Sequence, residues 1–129
     1  MERSIATTLG IRVEVEPSFR ADLSDPARGP WVFQYAVEIT NLGASAATLV
    51  ARHWIITHGD GNVEHVRGAG VVGEQPRLEP GARFHYVSAC PLSTTLGAMH
   101  GTYAMVRDDG TRFDAVIAPF TLVVPGTEN

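Results

Sequence analysis

Lysine is missing from this chain of 129 residues, and all ten of its basic residues are arginine. A P-loop needs a lysine to reach the nucleotide phosphates, and Schiff-base catalysis needs a lysine amine to attack a carbonyl substrate. The composition therefore excludes P-loop nucleotide hydrolases and Schiff-base enzymes before any motif is considered.

Cysteine and long apolar runs are also scarce. Cys90 is the only cysteine, so no internal disulfide can form, which is typical of proteins from a reducing compartment. The first residues, MERSIATTLG, lack a basic segment followed by an apolar run, so they do not resemble a signal peptide. No apolar run approaches the roughly 20 residues that a membrane-spanning helix requires. We expect a cytoplasmic protein without a membrane partner.

Positive charge is in short supply as well. Ten arginines are outnumbered by 14 acidic residues, which gives a formal net charge of −4. Nucleic acids and anionic membrane surfaces are bound through basic patches, so neither is expected as a partner. Apolar residues make up 44% of the chain and charged residues 19%, proportions that suit a globular protein with a core of its own.

Helical spacing is rare, and apolar residues alternate with a period of two instead. The stretch WVFQYAVEIT at residues 31–40 places five large apolar side chains on one face of a strand. Turn signals recur at a spacing of roughly 8–12 residues, including the loop at 58–62 and Asp108-Asp109-Gly110. This pattern predicts an all-β fold, an antiparallel β-sandwich of immunoglobulin or fibronectin-III type with about seven to eight strands.

No linker, internal repeat or low-complexity segment interrupts this pattern. The sequence therefore predicts a single domain over residues 1–129, with an ordered core at about 9–124. Residues 1–8 and 125–129 are predicted to be mobile tails because they lie outside the clear strand patterns.

The segment RGAGVVGEQP at residues 67–76 contains a literal match to G-x-G-x-x-G at Gly68, Gly70 and Gly73. A dinucleotide-binding fingerprint needs a helix to begin inside the motif and an acidic residue about 20 residues later. Prolines at 76 and 80 preclude that helix, and the stretch at 91–95 carries no carboxylate. The glycines are therefore interpreted as backbone geometry, although Arg67 and Glu74 beside them would allow weak binding of an anion.

The five histidines and Cys90 show no spacing typical of metal ligands. In the hairpin around 58–62, His65 is predicted to lie across from about Trp54, which would put His53 on the opposite face of the sheet. Cys90 has no base nearby in sequence and is interpreted as a small, semi-buried residue at a strand end. We therefore predict neither catalytic residues nor a metal site nor a cofactor.

Four segments resemble the ApaG family in order and spacing: HWIITHGDG, VRGAGVVGEQPRLEPG, SACPLSTTLGAMHGTY and RFDAVIAPF. The resemblance covers roughly residues 5–124. It implies a fibronectin-III-like fold and makes the glycine motif a family feature. It also implies a link to cobalt and magnesium tolerance, and related domains in eukaryotic proteins look like protein-interaction modules. No catalytic residues are established for the family, so none is assigned.

Two functional hypotheses follow. The first is a non-catalytic module that binds a protein partner of unknown identity through the 67–76 segment and a loop at 90–101, and an exposed edge strand would also allow a homodimer. The alternative is a sensor that binds a phosphate or dinucleotide ligand, or a divalent metal ion, weakly. The candidate ligand-binding residues are Arg67, Gly68, Gly70, Gly73 and Glu74.

Overall fold

The computed structural model describes residues 1–126, and most of them lie in β-strands. The described strands are β1 (Ser4–Thr8), β2 (Ile11–Phe19), β3 (Trp31–Asn41), β4 (Ala47–His58), β5 (Val63–Ala69), β6 (Arg77–Leu78), β7 (Arg83–Leu92), β8 (Leu96–Arg107) and β9 (Arg112–Val123). A single turn of 3-10 helix, Ala21–Leu23, follows β2. The helical residues of the described chain form no segment long and apolar enough to cross a membrane.

The strands form two antiparallel sheets that pack face to face. One sheet has the order β1-β2-β3-β7, and the other has the order β5-β4-β8-β9, with the short β6 pairing beside β5 on β4. The predicted all-β sandwich is confirmed. Strand β5 ends its sheet, so within residues 1–126 no strand pairs with the outer side of its backbone.

The prediction of a mobile tail at residues 1–8 is wrong for Ser4–Thr8, which form β1. This strand pairs with β2 from Ser4 opposite Val15 to Thr8 opposite Ile11. The turn between them consists of Leu9 and Gly10, both at positive φ (47° and 85°), and such two-residue turns match the twist of paired strands. Of the predicted tail at 125–129, residues 127–129 lie outside the described residues.

Aromatic side chains fill the centre of the sandwich. Trp54 of β4 is only 2% exposed. Its ring centroid lies 5.1 Å from that of Tyr35, 6.2 Å from that of Tyr103 and 6.0 Å from that of Phe120. The last two contacts are edge-on, a geometry that aromatic rings favour. Because these rings come from β3, β4, β8 and β9, Trp54 links the two sheets.

A β-bulge at Val50 changes which face of β4 points inward. Leu49 pairs with Met105 and Ala51 with the next residue, Ala104, so Val50 is an extra residue in the ladder. Before the bulge the buried side chain is Leu49, and after it the buried ones are Trp54 and Ile56. The irregular alternation in β4 therefore reflects a bulge.

A second irregularity lies in β9. Phe120 pairs with Met99 and Ile117 pairs with Gly101, so Ala118 and Pro119 lie where β8 supplies only His100. Proline has no N–H to donate and is confined within sheets to edges and bulges. The extra residue allows Ile117 and Phe120 both to face the core.

Asn41, at the end of β3, joins the two sheets through its side chain. It is fully buried. Its Nδ2 donates to the carbonyl oxygens of Ser45 (2.8 Å) and Leu78 (3.0 Å), and its Oδ1 accepts from Gly43 N (2.9 Å). Leu78 belongs to the opposite sheet, whereas Gly43 and Ser45 lie in the loop after β3, so this amide connects the end of β3 and its loop to β6 and replaces water for their backbone groups.

Replacing Asn41 by alanine should lower the free energy of unfolding by about 2–4 kcal/mol, because buried polar groups lose their partners. Urea unfolding followed by tryptophan fluorescence measures this loss. The matched control is Asn62→Ala, since Asn62 donates only to the exposed Asp60 side chain and should cost less than about 1 kcal/mol. Equal losses in the two variants would contradict the linking role of Asn41.

Candidate functional site

The glycine motif forms a tight hairpin that follows edge strand β5. Val71 N donates to Glu74 O (2.8 Å), and Glu74 N donates to Val71 O (2.9 Å), which closes a two-residue turn at Val72 and Gly73. A dinucleotide site would require a helix to begin here. We call residues 68–75 the glycine hairpin, and we call β5 together with this hairpin the edge surface.

Backbone geometry accounts for the glycines of the hairpin. Gly70 has φ 59°, and a Cβ there would overlap the carbonyl oxygen of Glu74. Gly73 has φ 81° but open space around it. A Cβ on Gly68 would lie 2.7 Å from the guanidinium of Arg52. Two of these positions require the left-handed region, and the third makes room for an arginine.

The hairpin is fastened to β4 at the bulge. Val50 O accepts from Gly70 N (2.9 Å) and from the side-chain amide of Gln75 (2.8 Å). Arg52 Nη1 donates to the carbonyl oxygens of Ala69 and Gly70, at 3.0 Å each. These contacts explain why a glycine-rich segment holds one conformation.

The hydrogen bonds within the hairpin also reduce its capacity to bind an anion. The N–H groups of Gly70, Val71 and Glu74 all donate to carbonyl oxygens of the protein. An anion nest is built from successive N–H groups that are free to point at the ligand. Arg67 and Glu74 are exposed on the edge surface. Gly68, Gly70 and Gly73 lie between them in the chain. Ligand binding by these five residues stays a prediction.

Val72, at the tip of the hairpin, adopts an unusual backbone conformation. Its φ is 43°, in the left-handed region, and its side chain is 55% exposed. A β-branched residue is a clear outlier there, and such strain costs about 1–3 kcal/mol. The exposed apolar side chain recovers little of that cost by burial. Strain of this kind is concentrated at functional sites, so Val72 is the strongest local indication of one.

The predicted placement of His53 and His65 on opposite faces is wrong. His65 pairs with Ile55, and Trp54 pairs with Val66, one residue away from the predicted register. His58 N donates to Asn62 O (2.8 Å), which closes a three-residue loop with Gly61 at φ 92°. Counting outward from this loop places Ile55, not Trp54, opposite His65. His53 Nε2 and His65 Nδ1 consequently lie 2.9 Å apart on the outer face. Burial, Arg67 and His65 lower the pKa of His53.

His58 connects two other segments through its side chain, a feature that the sequence analysis does not predict. We call its hydrogen bonds to Glu64 and Ser93 the His58 clamp. Its Nδ1 accepts from Ser93 N (3.1 Å), so its other nitrogen, Nε2, can donate to Glu64 Oε1 (2.5 Å). The Ser93 hydroxyl also lies 3.0 Å from Nδ1. His58 is buried and Glu64 is exposed. The clamp connects the β4–β5 hairpin to the loop between β7 and β8.

The predicted contact loop at 90–101 is therefore wrong in extent. Cys90–Leu92 are the last residues of β7, and residues 96–101 belong to β8, which leaves only 93–95 as a loop. The loop is held by the clamp and by Gly59 N, which donates to Thr94 Oγ1 (2.7 Å). A short, fastened loop offers little surface, so the edge surface is the better candidate site.

Metal ligands do not gather in larger groups. Among residues 1–126, no cluster of three or more His, Cys, Asp or Glu side chains is arranged to hold a metal ion. Any site built from this part of the chain has at most two such ligands.

Comparison with known proteins identifies the family. The family model of the ApaG domain matches residues 21–107. The chain belongs to the ApaG family. It is 55% identical over 126 residues to the protein ApaG of Anaeromyxobacter dehalogenans, covering 98% of this chain and 99% of that one. Protein ApaG of Stenotrophomonas maltophilia is 54% identical over 122 residues, which are 95% and 96% of the two chains.

A solved structure shares the ApaG fold. The ApaA protein from Bordetella pertussis superposes with a TM-score of 0.87 at 48% identity, covering 91% of this chain and 95% of that one. The resemblance recognised in the sequence is confirmed.

Two glycine substitutions test whether backbone geometry explains the motif. Gly73→Ala should cost about 1–2 kcal/mol of unfolding free energy, the usual penalty for a left-handed alanine. Gly70→Ala should cost at least about 3 kcal/mol, because the new methyl group also overlaps the backbone of Glu74. Urea unfolding of both variants measures the difference. A cost at Gly73 equal to that at Gly70 would contradict this account.

Cys90 should react slowly in the native protein. Burial, and secondly the charge of Glu64, raise the pKa of its thiol from 9.0 to about 12. The reactive thiolate is therefore about a thousandfold rarer in the folded than in the unfolded chain at pH 8. Reaction with Ellman's reagent should be slower by about two orders of magnitude or more without urea than in it. Cys90→Ser supplies the blank, and equal rates would show that the thiol is accessible.

Proposed function

We propose that this ApaG-family chain is a non-catalytic module that binds a protein partner on the edge surface. The single observation that carries the proposal is Val72, an exposed apolar residue held at a φ of 43°. Asparagine or glycine would occupy this turn position with less strain. A side chain retained at a cost in stability, and not buried by its own chain, is best explained by contact with another molecule.

The edge surface supports a partner in extended conformation. Strand β5 ends its sheet, and an added strand can form main-chain hydrogen bonds along such an edge. Val63 and Val66 on β5 are exposed, as is Val72 beyond it. These three valines supply apolar contact area, while Arg67 and Glu74 supply charges of both signs for specificity.

The alternative, a sensor of phosphate or dinucleotide ligands, has less support. A phosphate would need free N–H donors, and those of Gly70, Val71 and Glu74 are already engaged within the protein. A second copy of the chain could also pair with β5, which would make the module a homodimer. The free thiol of Cys90 suits a reducing compartment such as the cytoplasm.

Val72→Asn separates stability from binding. Asparagine tolerates the left-handed region, so the variant should be as stable as the wild type or more stable by about 1 kcal/mol. It should nevertheless lose the partner, because the apolar contact at the hairpin tip is removed. Affinity capture from the native cytoplasm, with quantitative mass spectrometry, measures which proteins depend on Val72.

The matched control is Leu9→Asn. Leu9 also precedes a glycine in a two-residue turn, has φ 47° and is exposed, but it lies in the other sheet. The local gain in stability should be similar, and the partner should be retained. Capture of the same proteins in the same amounts by wild type, Val72→Asn and Leu9→Asn would contradict the proposal. Size-exclusion chromatography of the pure protein tests the homodimer separately.

A further inference from the structure

We propose that His53 and His65 form a binding site for a divalent transition-metal ion on the outer face of the β4–β5 hairpin. The proposal does not rest on the partner-binding function, because the observation that carries it is the distance between two imidazole rings, although His65 also lies on the edge surface. Imidazole nitrogens are preferred ligands of Zn²⁺, Ni²⁺ and Cu²⁺. Hard cations such as Mg²⁺ prefer oxygen ligands and are not expected here.

The distance between the two rings fits such an ion. His53 Nε2 and His65 Nδ1 are 2.9 Å apart. Two nitrogens that each lie about 2.05 Å from one ion are separated by about 2.9 Å at the right angle that Ni²⁺ and Cu²⁺ favour, and by about 3.3 Å at the tetrahedral angle that Zn²⁺ favours. A metal ion would replace the proton that the two nitrogens share, and that proton would move to the other nitrogen of the same ring. Both rings are solvent-accessible, and both must rotate so that their lone pairs point at the ion and not at each other.

Paired strands hold the two histidines in place. His53 lies on β4 beside the centre of the sheet, and His65 lies diagonally across on β5. Since the pair forms only when the hairpin is in its native register, metal binding should stabilise the folded state. Within the described residues there is no third protein ligand, so water would complete the coordination sphere.

Two charged neighbours should tune the affinity in opposite directions. Arg67 lies opposite His53 in the ladder, and its positive charge acts on the His53 ring. Asp114 acts on the same ring with the opposite sign. Removing the arginine charge should therefore strengthen cation binding, and removing the aspartate charge should weaken it.

Calorimetric titration of the untagged protein with Zn²⁺ and with Ni²⁺ tests the proposal. One ion should bind per chain and raise the midpoint of thermal unfolding. His53→Gln and His65→Gln should each weaken binding by about tenfold or more, since half of the protein ligands are lost. Arg67→Gln should tighten binding a few-fold, and its fold is not at risk because the side chain is exposed.

His100→Gln and His85→Gln are the controls. His100 lies on the same face, opposite Ile55, and His85 lies on the other sheet near Glu14, Glu16 and Glu38. His85→Gln should bind like the wild type, and His100→Gln should bind at least as tightly, since His100 acts on the His53 ring in the same direction as Arg67. The proposal is overturned if neither ion binds, if His53→Gln and His65→Gln bind normally, or if either control variant loses as much affinity as they do.

Discussion

The bulge at Val50 is the constraint on which the candidate site depends. It lets Leu49 and Trp54 both face the core, although an unbroken strand would point them to opposite sides. Its carbonyl oxygen also receives the N–H of Gly70 and the amide of Gln75. The residue that lets β4 fill the core is therefore the residue that positions the glycine hairpin.

This coupling explains how the hairpin sustains its strain. Val72 occupies a conformation that would be unfavourable in a free loop, while Arg52 and Val50 hold the flanking backbone. The free energy that offsets the strain at Val72 comes from core packing around Trp54, which holds β4 and its neighbouring strands in place. The surface geometry is thus set by interior packing, which is how a rigid scaffold presents a binding feature.

Different parts of the molecule were predictable to different degrees. Alternation in β3 and the turn at Asp108-Asp109-Gly110 indicated an antiparallel sandwich, because these signals are local. The prolines after Gly73 likewise excluded a helix. The predicted register of β4 and β5 is wrong by one residue although the loop at 58–62 is predicted correctly, since a one-residue difference in the count outward from the loop changes every pair. The bulge at Val50 shows in the sequence only as an irregular alternation in β4, which does not indicate which residue is the extra one.

The His58 clamp could not have been predicted from the sequence, because Ser93 lies 35 residues away from the histidine it contacts. Strand β1 was missed for a different reason. Its five residues include three with hydroxyl groups, so the apolar alternation is weak. It forms because β2 offers a partner across a favourable turn, a tertiary effect that outweighs local preference.

The two ends of the β5-β4-β8-β9 sheet are not equivalent. At the far end, β9 carries Pro119 and an extra residue, and the N–H of Val116 already donates to Thr8 Oγ1 (3.0 Å). β9 is therefore the less regular of the two edges, and strand addition to this sheet is expected at β5.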